Sequence, residues 1–337
     1  MGNVLKPLIE DPLKVFSVTE LKKATKNFKK DRVVKGEDGS VRTFYKGSID
    51  DTTSRTKTRI SVSVMECVQD SLEAIEAWKV SKDCPLFTLV SIGVVYLLKY
   101  MSLQEEVKSL GKHSHPNLVK FLGYCCEDKK SLLVFECLHK GTLDHYIHGK
   151  NEVLSWATRV KIAIGIAQGV AFLHSINNSL LYFELRMHNI MLDEEYNAKL
   201  FYLETDLKCL ENELTVVSGI EYMSPEWLWT GRFEMDSDVF TFGMILLELF
   251  TGLKDRALLP PLIALRDGSK KLEDESLDIR TRLFLFNEVI DPRLEGDYPV
   301  TAVMQMGTLI QRCTEDRQTR PSMQQVLDVL DHIAEIH

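Results

Sequence analysis

The chain has 337 residues, 45% of them hydrophobic and 27% charged, with 41 Lys and Arg against 49 Asp and Glu and a net charge of −8. This composition predicts a globular protein with one large or two small domains, and it excludes a wholly disordered or low-complexity chain. The acidic balance also excludes a non-specific nucleic-acid binder, because neutralising phosphates requires a surplus of Lys and Arg.

The cysteines and the N-terminus bear on the compartment. The seven cysteines are odd in number and contain no C-x-x-C pair. Disulfide frameworks and zinc sites need recurrent spacings, so we expect reduced thiols in a cytoplasmic protein and no metal site. Gly2 lies in a weak N-myristoylation motif, since Lys6 stands where Ser or Thr is preferred. This motif predicts a peripheral contact with the plasma membrane.

The first part of the sequence predicts short strands behind one helix. Residues 16–28 predict a lead-in helix for which Thr19 is a candidate N-cap. Alternating apolar and polar residues predict strands at 41–45, 60–64 and 131–137. Apolar residues at helical spacing predict helices at 70–78 and 103–110.

A segment without formal charge runs from Cys84 to Leu98. Its fifteen residues are fewer than the ~20 that cross a bilayer, and its β-branched content is more typical of a buried strand. We therefore expect an atypical apolar insertion over residues 80–102. The sequence leaves two origins open for it, a genuine part of the fold or an unspliced intron.

The second half of the sequence changes to helical periodicity. Long apolar-periodic helices are predicted at 156–174 and 236–251, and shorter ones at 305–313 and 323–336. The sequence thus predicts an α+β protein in three parts: an N-terminal extension at 1–30, a small strand-rich lobe at 31–136 and a larger helical lobe at 137–337.

Eight strings in one order along the chain resemble those of a protein kinase domain of the plant receptor-like type. They lie at 16–28, 44–47, 115–124, 132–136, 154–174, 224–226, 238–243 and 320–321. The resemblance implies a bilobal protein-kinase-like fold, with a small β-rich N-lobe and a larger helical C-lobe.

Several of the matching residues build such a fold without doing chemistry. The resemblance implies that Glu226 pairs with Arg320 and that Asp238 holds the backbone of the catalytic loop. Glu106 aligns with the glutamate of the helix that pairs with a strand lysine in active kinases. Buried pairs of this kind are costly to break, and they indicate the fold alone.

The glycine-rich loop departs from the family pattern. Counting back from 44–47, its three glycines fall at Glu37, Gly39 and Arg42, and a one-residue shift to Gly36 restores only the first. Glycine is needed there because the backbone approaches the phosphates closely and adopts positive φ. We expect a vestigial nucleotide pocket, with weak or absent ATP binding, lined by Gly39, Arg42, Phe135, Glu136 and Cys137.

The strand lysine that contacts the phosphates in the family is also missing. Its position falls at Ser63 in one register and at Met65 in the other. Neither side chain carries a charge. Lys99 lies only seven residues before Glu106, too close for the strand, loop and helix that normally separate the two.

The catalytic loop aligns without a gap to residues 182–193. Glu184 replaces the base aspartate, and its extra methylene moves the carboxylate by ~1 Å, which can cost ~100-fold in rate. Arg186 replaces the lysine and keeps the charge but not the shape. Asn189, a metal ligand in the family, is kept. Tyr202 replaces the magnesium-binding aspartate, and a phenol is a poor ligand for Mg²⁺ at neutral pH.

This pattern of losses resembles the ZRK-type (ZED-related) plant receptor-like cytoplasmic pseudokinases. The resemblance implies a catalytically inactive adaptor or decoy in innate immunity, without a cofactor, that links effector sensing to a coiled-coil NLR receptor. The implied partners are that receptor, active receptor-like cytoplasmic kinases and bacterial effectors, but no nucleic acid.

Other functions stay open at this point. One alternative is a weak or atypical serine/threonine kinase that uses Glu184, Asn189 and a displaced Glu204, with residual ATP binding. Another is a passive scaffold that regulates an active kinase. In the segment equivalent to an activation loop, the candidate modification sites are Thr205, Thr215 and Ser218.

Overall fold

The computed structural model describes residues 14–35, 41–50, 59–67, 114–127, 130–137, 140–149, 152–176, 185–200, 222, 224–226, 234–253 and 289–336. They fall into two compact units. Unit 1 takes the described residues up to 114 together with Val119–Cys137. Unit 2 takes His115–Leu118 and the described residues from 140 onward.

Unit 1 is built on a six-stranded sheet in the order β1-β5-β6-β4-β3-β2. Its strands are β1 (Lys14–Val15), β2 (Lys30–Lys35), β3 (Val41–Asp50), β4 (Arg59–Cys67), β5 (Phe121–Glu127) and β6 (Lys130–Glu136). Neighbouring strands are antiparallel, except that β1 runs parallel to β5. The predicted strands at 41–45, 60–64 and 131–137 correspond to β3, β4 and β6.

The lead-in helix α1 (Val18–Ala24) packs into the core of unit 1. Its N-cap is Ser17 and not Thr19, because Ser17 and Glu20 form a reciprocal capping box. Phe16 and Leu21 are fully buried in the same cluster as Val62 and Val64 of β4. The described part of the predicted extension at 1–30 is therefore integrated into the sheet unit.

Unit 2 is mainly helical. Its elements are β7 (Gly141–Thr142), α2 (Leu143–His148), α3 (Trp156–Ser175), β8 (Ile190–Leu192), β9 (Ala198–Leu200), α4 (Met235–Thr251), α5 (Val300–Thr314) and α6 (Met323–Ala334), with 3₁₀ turns at Met187–Asn189 and Pro292–Leu294. Helices α3, α4 and α6 begin within one residue of the predicted positions. Helix α5 begins five residues before the prediction. Val300 and Met304 are apolar but exposed, so the apolar residues of its first turns do not all lie on the buried face, and the helical pattern is blurred there.

The segment His115–Leu118 belongs to unit 2, although the sequence places it within the strand-rich lobe. The amide of Leu200 donates to the Asn117 carbonyl at 2.8 Å, and Asn117 Nδ2 donates to the Ala198 carbonyl at 3.0 Å. Helix α3 approaches this segment at Gly165, where a Cβ would lie 2.8 Å from Asn117 Nδ2. A larger residue at position 165 would therefore displace the Asn117 side chain from its hydrogen bond with Ala198.

A buried ion pair joins distant parts of unit 2. The guanidinium of Arg159 on α3 is fully buried; it donates to Asp291 Oδ2 at 2.7 Å and to the Leu249 carbonyl at 2.8 Å. Asp291 also accepts hydrogen bonds from Arg293. Burial by itself raises the pKa of Asp291, but the hydrogen bonds from Arg293 and Arg159 outweigh it and hold the pKa below 3.8.

Among the residues that the structure describes, no helix is both long and apolar enough to span a membrane. The predicted helices at 70–78 and 103–110 and the apolar insertion at 80–102 lie outside the described residues.

Candidate functional site

Strand β4 carries both candidate positions for the phosphate-binding lysine. Ser63 and Met65 alternate with the core residues of β4 and are 5% and 4% exposed. Ser63 lies opposite Phe135 on β6, and Met65 lies opposite Leu133. In either register, the predicted position of the strand lysine is therefore occupied by a buried, uncharged side chain. The one basic residue of β4 is Arg59, at its first position, where it pairs with Asp50 at 3.4 Å.

Three residues of the predicted nucleotide pocket, Phe135, Glu136 and Cys137, lie at the end of strand β6. Phe135 is 2% exposed and packs against Phe121, with ring centroids 5.4 Å apart. The amide of Glu136 donates to the Lys120 carbonyl at 3.0 Å, and the Lys120 amide donates to Glu136 Oε1 at 2.9 Å. The Glu136 carboxylate thus binds the neighbouring backbone. Cys137 follows and is half-buried.

Arg42 takes a regular place in the sheet. Its backbone pairs with Val34 on β2 and with Cys67 on β4, inside an antiparallel ladder. The position that holds the third glycine in the family is therefore extended strand in this protein. Gly39 lies outside the described residues.

The arginine of the catalytic loop stacks on a tyrosine inside unit 2. Arg186 is 7% exposed, and its guanidinium carbon lies 4.7 Å from the centroid of the Tyr222 ring. The Tyr222 hydroxyl donates to the buried carboxylate of Glu248 on α4. The other oxygen of Glu248 contacts His148 Nε2 at 2.6 Å. The charge retained at Arg186 thus makes a cation–π contact within a buried polar chain.

Sequence reasoning did not identify this chain of contacts. Tyr222, Glu248 and His148 come from separate segments, and His148 contacts a residue 100 positions away. The sequence signal that does exist is a single carboxylate, Glu248, within the otherwise apolar run of α4. A buried carboxylate requires hydrogen-bond donors, so this residue alone predicts polar partners without identifying them.

Asn189, which the resemblance implies is a retained metal-ligand position, ends the 3₁₀ turn before β8. The side chain is 3% exposed, and the backbone amide of Asn189 donates to the Arg186 carbonyl at 2.9 Å. In the described ranges, no group of three or more His, Cys, Asp or Glu side chains is placed to hold a metal ion. Weak or absent binding of Mg-ATP stays a prediction.

The structure contains the fold-building pair that the resemblance implies. Arg320 donates to both carboxylate oxygens of Glu226, through Nη2 at 2.9 Å and through Nη1. Asp238 is 3% exposed and contacts His174 Nε2 at the end of α3 at 2.9 Å. The catalytic-loop residues 182–184, which Asp238 is expected to hold, are not among those described.

The Glu226–Arg320 pair gives a pH prediction. Burial raises the pKa of Glu226, but the hydrogen bond from Arg320 outweighs it, and the pKa lies below the usual 4.5. A carboxylate whose pKa is lowered by folding stabilises the folded state at pH values above its usual pKa. This contribution is lost as the pH falls through the folded-state pKa. We expect Glu226→Gln to reduce the free energy of unfolding most at pH 7, and progressively less below pH 4.5.

Urea unfolding of wild-type and Glu226→Gln protein along a pH series measures this difference. Wild-type protein is the reference at every pH. Nearby Asp236 titrates in both proteins, with a pKa that burial raises in both and the charge of Glu226 raises in the wild type only. A destabilisation that is equal at pH 7 and at about pH 3.5 would contradict the assignment.

The other predicted site residues lie outside the described residues. They are Glu106, Glu184, Tyr202, Thr205, Thr215 and Ser218, together with Gly39. Their predicted roles stay predictions.

The family model for protein tyrosine and serine/threonine kinases matches residues 98–330. The chain belongs to the protein kinase family. It is 48% identical to the inactive serine/threonine-protein kinase BKN2 of Arabidopsis thaliana, over 100% of this chain and 99% of BKN2. It is 50% identical to inactive kinase BKN1 of the same plant, over 98% of this chain and 94% of BKN1.

Two further comparisons extend this picture. The probable kinase CST of Arabidopsis thaliana is 34% identical over 97% of this chain and 73% of CST. The solved structure of an apo pseudokinase covers 97% of this chain and 99% of its own, with a TM-score of 0.63 at 21% identity, a likeness in fold. The predicted α+β protein-kinase fold, with a β-sheet N-lobe and a helical C-lobe, is confirmed. Membership of the ZRK-type group stays a prediction.

Proposed function

We propose that this protein is a pseudokinase that acts through protein partners and does not transfer phosphate. The observation that carries the proposal is strand β4, where Ser63 and Met65 are buried and uncharged. Phosphoryl transfer depends on neutralising the triphosphate charge, which the strand lysine and bound metal ions normally do. The similarity to two kinases named inactive supports the same conclusion.

The biological role follows from the resemblance and is part of the proposal. The protein serves as an adaptor or decoy in plant innate immunity, linking effector sensing to a coiled-coil NLR receptor, with receptor-like cytoplasmic kinases and bacterial effectors as partners. Without a nucleotide cofactor, it acts through its surface. Thr205, Thr215 and Ser218 are the proposed sites at which a partner kinase modifies it.

The pseudokinase proposal makes a prediction about the binding of Mg-ATP. We expect no rise in melting temperature up to millimolar Mg-ATP, because a ligand that binds the folded state stabilises it by mass action. Thermal unfolding with Mg²⁺ alone is the control. Incubation with radiolabelled ATP is expected to leave the protein and a generic substrate unlabelled.

The alternative function is a weak or atypical kinase with residual ATP binding, which the retained Asn189 favours. It predicts concentration-dependent stabilisation by Mg-ATP and slow phosphate incorporation. Incorporation by wild-type protein that Glu184→Ala and Asn189→Ala abolish would establish this alternative and refute the pseudokinase proposal.

Affinity purification from plant tissue tests the adaptor role. The adaptor proposal expects a coiled-coil NLR receptor among the retained proteins, with equal recovery by wild type and by Glu184→Ala. Recovery of an active kinase without any receptor would instead support the passive scaffold.

A further inference from the structure

Unit 1 exposes a compact cluster of lysines at the end of helix α1. Five lysines fall within nine residues that contain no acidic side chain. We call this cluster the lysine turn; its members are Lys22, Lys23, Lys26, Lys29 and Lys30. All five are exposed. The cluster stands out because the chain as a whole carries a net charge of −8.

The backbone folds these lysines into one small region. The amide of Asn27 donates to the Lys22 carbonyl at 2.7 Å, and the amide of Lys29 donates to the Thr25 carbonyl at 3.1 Å. Thr25 is fully buried, and its hydroxyl bonds the Leu21 carbonyl at 2.7 Å. The chain thus closes on itself immediately after α1, between the last turn of that helix, which carries Lys22 and Lys23, and strand β2, which begins at Lys30.

The conformation of the turn is unusual for its residues. Lys26, Asn27 and Phe28 have φ of 52°, 64° and 53°, in the left-handed region that non-glycine residues rarely occupy in succession. Phe28 holds the turn to the sheet, with its ring 5.3 Å from that of Tyr45. Strained backbone of this kind persists only where surrounding packing fixes it. The lysine turn is therefore a preorganised surface.

The acidic residues that flank the lysine turn along the chain are fewer than its lysines and leave it positive. Glu20 is paired with Lys14 at 3.8 Å, outside the turn, and Asp31 follows the last lysine. A flat anionic surface touches one face of a protein, and charges further away than about 8 Å are screened at physiological salt. A membrane can therefore bind this turn while the acidic remainder stays remote, whereas a nucleic acid needs a longer basic track.

We propose that the lysine turn is a docking surface for membranes that contain anionic lipid. Each lysine near such a surface adds a comparable increment of binding. A single myristoyl chain binds membranes only marginally, and a basic patch is one of the second signals that make anchoring stable. The lysine turn provides the second membrane-binding signal that a single myristoyl chain at Gly2 would need for stable anchoring.

Vesicle sedimentation with the unacylated full-length chain tests this surface directly. We expect binding to vesicles of phosphatidylcholine with about 30% phosphatidylserine, and none to phosphatidylcholine alone. The triple variant Lys22→Gln, Lys23→Gln, Lys29→Gln should lose about 100-fold in partition coefficient. It leaves Lys26, with its positive φ, unchanged. Binding of wild-type protein should also weaken as salt is raised.

The matched control removes the same number of positive charges elsewhere. The variant Lys120→Gln, Lys161→Gln, Arg312→Gln changes three exposed residues outside the turn and should bind like wild type. Thermal unfolding of both variants establishes that they are folded. An equal loss of vesicle binding in both variants would mean that binding depends only on net charge, and it would overturn the proposal. So would equal binding to both kinds of vesicle, or retention on single-stranded RNA without vesicle binding.

Discussion

Replacing Asp291 with alanine is expected to lower the free energy of unfolding of unit 2 by about 3–5 kcal/mol, the range for breaking one side of a buried ion pair. Arg159 is 0% exposed and Asp291 is 2% exposed, so the substitution leaves a guanidinium buried without its carboxylate. The same carboxylate also binds Arg293 at 2.7 Å. Chemical denaturation followed by circular dichroism measures the loss.

Two variants separate the buried pair from its surroundings. Asp297→Ala removes an exposed carboxylate six residues away and should change stability by less than about 0.5 kcal/mol. The double variant Arg159→Met, Asp291→Leu should recover part of the stability lost in Asp291→Ala, because it removes the buried guanidinium together with its carboxylate, whereas Arg293 still loses its partner. A loss in Asp291→Ala no larger than in Asp297→Ala would refute the assigned role.

Replacing Phe16 with alanine is expected to destabilise unit 1 by about 3–5 kcal/mol, the cost of deleting a buried aromatic side chain. Phe16 is 2% exposed and shares a cluster with Leu21, Val62 and Val64. Its amide donates to the Tyr124 carbonyl at 2.8 Å, which ties the lead-in segment to strand β5. Urea unfolding measures the change, and amide exchange in β5 localises it.

The neighbouring residue provides the control for Phe16. Val15 ends strand β1 and is 63% exposed, so Val15→Ala should leave the stability nearly unchanged. If Phe16→Ala is no more destabilising than Val15→Ala, the lead-in segment is not part of the folded sheet unit. In that case, removing strand β1 would not lower the free energy of unfolding. The close contact between β1 and Gly123 argues against this outcome. A Cβ at Gly123 would lie 2.0 Å from the Lys14 carbonyl oxygen.

The sequence by itself determined the family, and it predicts the main losses of catalytic residues. Motif strings keep their order and spacing, so the kinase fold could be predicted from them and was confirmed. The absence of a lysine at Ser63 and Met65 is visible in the letters alone. Helices α3 and α4 were also predictable, because long apolar-periodic runs carry a strong local signal.

Only the tertiary structure decided which distant residues meet. Arg159 and Asp291 are 132 positions apart, and Arg186 finds the ring of Tyr222 through folding of separate segments. Helical and strand periodicity reports which residues are buried, but not which buried residue faces which. The pairing of β1 with β5 and the stacking of Arg186 therefore came from packing, because each depends on contacts that no local pattern encodes.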